Sequence, residues 1–161
     1  MSDVLFRPAR DDDGAALCSL IEPIFGEYDG VLFIPEEMPE LRAIATAFGE
    51  GAFWVGERGG EVVACAGWIP MDAHRIELKK LYVRRDQRRQ GTARRLVTMV
   101  EAAAQARSGS AVVELWSDAK FVEAHAFYRS LGYASDGRTR LLHDASDTLE
   151  LFFSRRCVAR E

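Results

Sequence analysis

The stretch from Arg75 to Trp116 constrains the fold more than any other part of the chain. Arg75–Val83 and Ala111–Trp116 read as strands, rich in Val, Leu, Ile and aromatic residues. Between them, Gly91–Arg107 carries apolar residues at Leu96, Met99, Val100 and Ala103, the spacing of a buried helical stripe. A helix with one apolar stripe between two strands has to pack against a sheet. The link from the first strand to this helix is VRRDQRRQGTARRL, Val83–Leu96, with six arginines around one glycine.

The flanking sequence extends this pattern in both directions. Val4–Ala9 predicts a strand, and Asp11–Asp13 supply carboxylates at the start of a helix running to about Phe25, where they favour the dipole. After a loop holding Tyr28, Asp29 and Gly30, Pro35–Glu37 opens a second helix that ends near Gly49 and Gly51. AFWVGERGGEVVACAGWIP is a hairpin turning at Arg58-Gly59-Gly60. Lys120–Leu131 predicts a helix stopped by Gly132 in a left-handed cap. Tyr133–Leu142 and Thr148–Ser154 predict a closing hairpin across Asp144–Asp147. The order is β-α-α-β-β-β-α-β-α-β-β: a mixed α/β sheet with helices on both faces, in one domain spanning residues 1–161.

Composition narrows the function classes. The 161 residues are 48% apolar, enough for one sizeable core and too many for a disordered chain. No long uncharged apolar run predicts a membrane span, and MSDVLFRPARDDD lacks an apolar signal core. Cys18, Cys65 and Cys157 are odd in number and widely spaced, which predicts free thiols and a cytoplasmic protein. No Cys or His spacing predicts a metal site. A formal charge of -4 argues against a general nucleic-acid binder and leaves the arginine run to be explained locally.

The run sits where a strand gives way to a helix, with its glycine at the helix start. First-turn N–H groups have no internal partners and the dipole adds positive charge, so such an end holds phosphate oxygens. Gly91 admits a close approach, Ala93 keeps the next turn low, and the arginines add charge-assisted donors. Neither a P-loop nor a dinucleotide fingerprint is present, and a solvated basic loop is the alternative.

RRQGTA, Arg88–Ala93, resembles the Arg/Gln-x-x-Gly-x-Gly/Ala signature of the GNAT superfamily of acyl-CoA-dependent N-acyltransferases. ELKKLYV, Glu77–Val83, resembles the strand that precedes this signature. EAHAFYRSLGY, Glu123–Tyr133, resembles the late helix with its Phe-Tyr and Leu-Gly-aromatic ending. The order of elements agrees over nearly the whole chain and is least specific before Ala52. The resemblance implies a mostly antiparallel sheet splayed at its fourth strand. It also implies acetyl-CoA as cosubstrate, no metal, and phosphates held by Arg88, Arg89, Gln90, Gly91, Thr92 and Ala93. One departure stands out. Many members have an asparagine near the start of the late helix, where this chain reads Asp118-Ala119-Lys120-Phe121.

The resemblance also assigns chemistry. A bulge in Glu77–Val83 would free backbone groups for the pantetheine arm, with Leu81, Tyr82 and Val83 lying against it and a backbone N–H near Leu81 polarising the thioester carbonyl. Glu77 corresponds to a general base in some members, the alternative being a surface carboxylate paired with Lys79 or Arg75. Tyr128 corresponds to the tyrosine that protonates the departing thiolate, the alternative being core packing with Ala124, Phe127 and Leu131. His125 lies one turn from Tyr128 and is given no chemistry. Cys65, in an apolar strand, makes a poor nucleophile.

Glu27, Tyr28, Asp29, Glu36 and Glu37 form an acidic, aromatic group suited to a cationic amine, or else are solvated helix-end charges. The implied activity is transfer of an acetyl group to a primary amine, on a small molecule or on a peptide or protein, by direct attack in a ternary complex. A catalytically silent acyl-CoA sensor on the same fold is the competing class. No nucleic-acid or membrane partner is expected, and a homodimer is compatible with the sequence.

Overall fold

The structure is a computed structural model that describes residues 3–158; residues 1, 2 and 159–161 of the expected single domain lie outside the described residues. The elements follow the expected order: β1 (Leu5–Pro8), α1 (Gly14–Phe25), α2 (Ile44–Ala47), β2 (Ala52–Arg58), β3 (Glu61–Pro70), β4 (Arg75–Val83), α3 (Thr92–Arg107), β5 (Ser110–Asp118), α4 (Val122–Ser130), β6 (Thr139–Leu141) and β7 (Leu149–Val158). The seven strands form one sheet in the order β1-β2-β3-β4-β5-β7-β6. Every pairing is antiparallel except β4 with β5.

The core lies on both faces of the sheet. On one face Leu17, Leu20, Ile21 and Ile24 of α1 pack with Leu41 and Ile44 against Phe53, Val55 and Cys65. On the other, Leu96, Val97, Val100 and Ala104 of α3 and Tyr128 of α4 pack against Ala64, Ile76, Leu78, Val113, Leu115 and Phe153. The α3 stripe is therefore rotated slightly from its expected line: Val97 and Ala104 are buried, while Met99 and Ala103 are half-buried. Both sets belong to one face of a 3.6-residue repeat.

Two elements depart from expectation. The second helix is mostly 3-10 turns at Pro35–Glu37 and Pro39–Ala43, with α-helix at Ile44–Ala47 alone. Two prolines four residues apart each remove a backbone donor, so a continuous α-ladder cannot form there. The strand expected over Tyr133–Leu142 shrinks to Thr139–Leu141, preceded by a lone bridge from Ala134 to Ser154. Gly137, at φ +87, turns the chain between them. Gly132, at φ +91, ends α4 in the expected left-handed conformation.

The aspartates at the start of α1 do more than face a dipole. Arg7 grips Asp13 through two nitrogens at 2.8 and 2.9 Å, and Asp13 also accepts from the Arg10 backbone at 2.7 Å. Asp11 accepts from the Thr46 backbone and hydroxyl at 2.8 and 2.6 Å, fastening α2 to the start of α1.

Candidate active site

β4 pairs with β5 at three positions, Arg75–Glu77 against Val112–Glu114, and beyond Glu77 the ladder stops. On the opposite edge the β3–β4 register shifts between Cys65 and Gly67, and Lys80 takes a left-handed φ of 55°. This is the expected bulge. Cys65 Sγ donates to the Lys80 carbonyl at 3.2 Å, helping to hold the strained backbone. The same burial pushes the Cys65 thiol up to about 12, so it stays protonated and is no nucleophile. The sheet thus opens as a V with β4 on one wall and β5 with the start of α4 on the other. A cavity of about 560 Å³ occupies the opening, lined by Glu77, Leu81, Tyr82, Leu115, Ser117, Phe121 and Tyr128 among others.

Glu77 and the arginine loop stand at opposite ends of β4. Six residue steps along the strand lead from Glu77 to Val83, a reach of about 20 Å. At the far end Gly91 caps the 16-residue α3 with φ +79, and a Cβ built on it would meet nothing within 4 Å. Glycine is therefore required by backbone conformation, and the space above the helix end is open. Arg89 also has a positive φ, 62°. Thr92 is buried and Ala93 half-buried, so the exposed groups of the turn are Arg89, Gln90 and Gly91. Open space, glycine and unpaired first-turn N–H groups fit a phosphate.

The six arginines divide by partner. Arg84 pairs with Glu61 and Asp86, and Arg95 lies over the Phe6 ring at 4.6 Å. Arg88 is fully engaged: its Nε donates to the Val83 carbonyl at 3.0 Å, and its two terminal nitrogens meet the Glu27 carboxylate, each at 2.7 Å. The side chains of Arg85, Arg89 and Arg94 have no charged partner among the described residues. Arg58 anchors the loop from β2 by donating to buried Gln87 at 2.6 Å.

Glu27 is one of three consecutive residues that bridge the mouth of the V. Glu27 holds Arg88 on the β4 side, the Tyr28 ring stacks on Phe121 at 4.7 Å, and the Asp29 carbonyl accepts from Lys120 Nζ at 3.1 Å on the α4 side. Of the residues grouped from sequence as an acidic rim, Glu37 lines the cavity, and its carboxylate accepts from the Ala145 backbone at 3.0 Å.

Glu77 differs from the other carboxylates lining the cavity. Glu40 pairs with Lys80, Glu150 with Arg140, Asp144 accepts from Thr148, and Asp118 accepts from the Lys120 backbone. Glu77 has no hydrogen bond among the described residues; its nearest charged partner is Lys79 at 3.9 Å. Arg75, the other partner considered from sequence, is turned to Asp72 and Glu114. Burial raises the Glu77 carboxyl above the usual carboxylate range, against the opposing charges of Lys79 and Arg140.

Tyr128 is buried between Phe127, Tyr133 and Phe153, with ring centres 5.5 to 6.0 Å away. Core packing and cavity lining thus coexist in one side chain. Among the described residues, two buried polar atoms are sealed without partners, Trp68 Nε1 and Tyr133 Oη. Tyr128 Oη also lacks a partner among the described residues, but it is not one of the sealed pair, and the residue lines the cavity. Burial alone drives its ionisation well above the usual tyrosine range, so the phenol keeps its proton.

His125, given no chemistry from sequence, has a structural role. It is buried, and its Nε2 donates to the Asp118 carbonyl at 2.9 Å, pinning the β5–α4 junction. Burial lowers its pKa, and the bond to the Asp118 carbonyl opposes that shift. Ser117 and Asp118 line the cavity where the asparagine is missing. Val83 is placed in the core and does not line the cavity, though its carbonyl holds Arg88. Sequence reasoning missed the C-terminal wall: Arg140, Leu142, His143, Asp144, Ser146, Thr148 and Glu150 all line the cavity. Their alternation around a turn predicted a hairpin but gave no signal of what it would face.

Residues 16–133 match the Acetyltransferase (GNAT) family, and the chain belongs to that family. No curated protein sequence matches it. Among solved structures, an acetyltransferase of the GNAT family from Staphylococcus aureus Mu50 superposes with a TM-score of 0.83 at 20% identity, covering 96% of this chain and 99% of that one. The Salmonella typhimurium putative acetyltransferase yncA, solved with acetyl-CoA, gives 0.68 at 14% identity over 99% and 97% of the two chains. An aminoglycoside 6'-N-acetyltransferase complexed with coenzyme A gives 0.70 at 17% identity over 98% and 99%. These likenesses confirm the splayed, mostly antiparallel α/β fold, and the acetyl-CoA and coenzyme A in the last two agree with the acyl-CoA expectation. Among the described residues no group of His, Cys, Asp and Glu is placed to hold a metal, and no helix is long and apolar enough to cross a membrane.

Proposed function

We propose that this protein is an N-acetyltransferase that moves the acetyl group of acetyl-CoA to a primary amine by direct attack in a ternary complex. The observation that carries the reading is the joint placement of Glu77 and Tyr128. Both line one cavity, and neither side chain has a hydrogen bond among the described residues. Acetyl-CoA supplies the activated thioester. The α3 N-terminus, through Gln90, Gly91, Thr92 and Ala93 with Arg89 beside them, holds its phosphates. Arg88 contributes by fixing the loop, since its own fork is occupied by Glu27 and Val83. Leu81 and Tyr82 line the path of the pantetheine arm, and Val83 sets the end of the strand.

Glu77 takes a proton from the ammonium form of the acceptor, for which a raised pKa brings a carboxylate closer to neutral pH. A backbone N–H near Leu81 stabilises the negative charge that grows on the carbonyl oxygen. The neutral amine forms the N–C bond and the S–C bond breaks; Tyr128 donates its proton to the departing sulfur and is reprotonated by the nitrogen, which sheds its second proton as the amide forms. The unit is one domain over residues 1–161, cytoplasmic, with a small-molecule or peptide amine as acceptor and no nucleic-acid or membrane partner; a homodimer is compatible with it. Thiol release from acetyl-CoA across a panel of amines tests the reading. An amine-dependent release supports it. Coenzyme A binding with no release from any amine overturns it in favour of a silent sensor.

A further inference from the structure

The C-terminal wall of the cavity carries a cation whose geometry calls for an anion. Arg140 sits on β6 in register with Glu150 of β7. Its Nε donates to Glu150 at 2.6 Å, and its guanidinium carbon lies 4.4 Å from the centre of the Trp116 ring. The side chain is therefore held from its edge and from its flat face. Its two terminal nitrogens, the part of the fork that matches a planar carboxylate, have no acceptor among the described residues.

The other cations nearby are accounted for differently. Lys80 is bound to Glu40, and Arg138 is tied to Asp136 while lying 3.7 Å over Phe152. Lys79 has Glu77 alone, at 3.9 Å. Arg140 and Glu77 line the same cavity, and the charge of Arg140 acts on the Glu77 carboxyl. A pre-positioned guanidinium in the cavity of a carboxylate that has only a loose ion pair is a site for a molecule with both charges.

We infer that the acceptor is a small amine that also carries a carboxylate, an amino acid, with its amino group at Glu77 and its carboxylate on the terminal nitrogens of Arg140. Trp116 and Glu150 act as positioning residues that keep the fork aimed into the cavity. This inference rests on the acetyltransferase reading for its assay, though its binding component can be tested separately.

The test compares amino acids with their carboxamides and with the corresponding decarboxylated amines, in the parent and in the Arg140→Gln and Arg140→Lys variants. The parent should favour the carboxylate-bearing member by about 10- to 100-fold in kcat/KM, the scale of a charge-assisted hydrogen bond, with the difference lying mainly in KM. In Arg140→Gln that ratio should fall to about 1, and Arg140→Lys should keep part of it. Retained stabilisation by coenzyme A shows that each variant is folded. Equal use of acid and amide by the parent, or an undiminished preference in Arg140→Gln, overturns the inference. If the parent releases no thiol with any amine, the acetyltransferase reading is what fails. Thermal stabilisation of the coenzyme A-loaded parent by amino acids, absent with amides and absent in Arg140→Gln, would then still support carboxylate recognition. No such difference would overturn it.

Discussion

Replacing Tyr128 with phenylalanine removes one oxygen atom and keeps the ring that packs on Phe127, Tyr133 and Phe153. The lost hydroxyl makes no hydrogen bond to the described residues, so folding stability should shift by no more than about 1 kcal/mol, in either direction. If the hydroxyl protonates the leaving sulfur, the rate of transfer should fall by roughly 10²-fold or more, which is about 2.7 kcal/mol of barrier. Michaelis constants should change less, because the interaction forms mainly in the transition state. The raised pKa keeps the phenol protonated across the working range, so the parent profile should show no loss of rate from tyrosine ionisation near pH 10. The assay is a pre-steady-state acetyl-transfer burst at saturating acetyl-CoA, since slow product release would conceal a slower chemical step. A variant that transfers at the parent rate under those conditions refutes the acid role and leaves Tyr128 as a packing residue.

Other expectations follow from the same geometry. Gly91→Glu places a side chain at φ +79 and a carboxylate over the α3 N-terminus; the fold should lose about 1–3 kcal/mol, and coenzyme A should no longer raise its Tm. Glu77→Gln should lower kcat/KM by roughly 10²-fold and abolish the acidic limb of the rate profile, which in the parent should lie above the usual carboxylate range. Asp13→Asn should cost roughly 3 kcal/mol in denaturant unfolding, because it breaks a mostly buried pair with Arg7. Arg7 depresses the Asp13 pKa, so this stability is present above the unfolded value near pH 4 and is lost as pH falls through the lower folded value. The parent should therefore lose stability over that acid range, and Asp13→Asn should lose correspondingly less.

The sequence made the central part of the site legible because that part is local. Gly91, the strand before it and the helix after it are contiguous, and the left-handed cap follows from one residue type. Glu77 and Tyr128 were singled out by resemblance to family motifs, which periodicity alone does not supply, and both line the one cavity. Contacts that cross the chain were not readable. Arg88 stands 61 residues from the Glu27 carboxylate that occupies its fork, a partner that nothing near it in the sequence signals. Arg140 and Glu150 were expected in a closing hairpin, but their facing the Glu77 cavity depends on the register of β6 and β7. The second helix failed for a local reason that was visible: Pro35 and Pro39 favour short 3-10 turns over a continuous helix.

The three-pair junction of β4 with β5 has a mechanical consequence. β5 and β7 share nine pairs, so the sheet is two stiff plates joined along a short seam. The α1 face fastens to the first plate, whereas α3 packs across both, against Ala64 and Ile76 on one side and Val113 and Phe153 on the other. The helix is thus a bolt across a hinge, and widening of the V is a rotation beneath α3 instead of a breaking of strands. Amide hydrogens at Arg75–Glu77 should exchange sooner than those within β5 and β7, and a molecule wedged in the V should slow them from a distance.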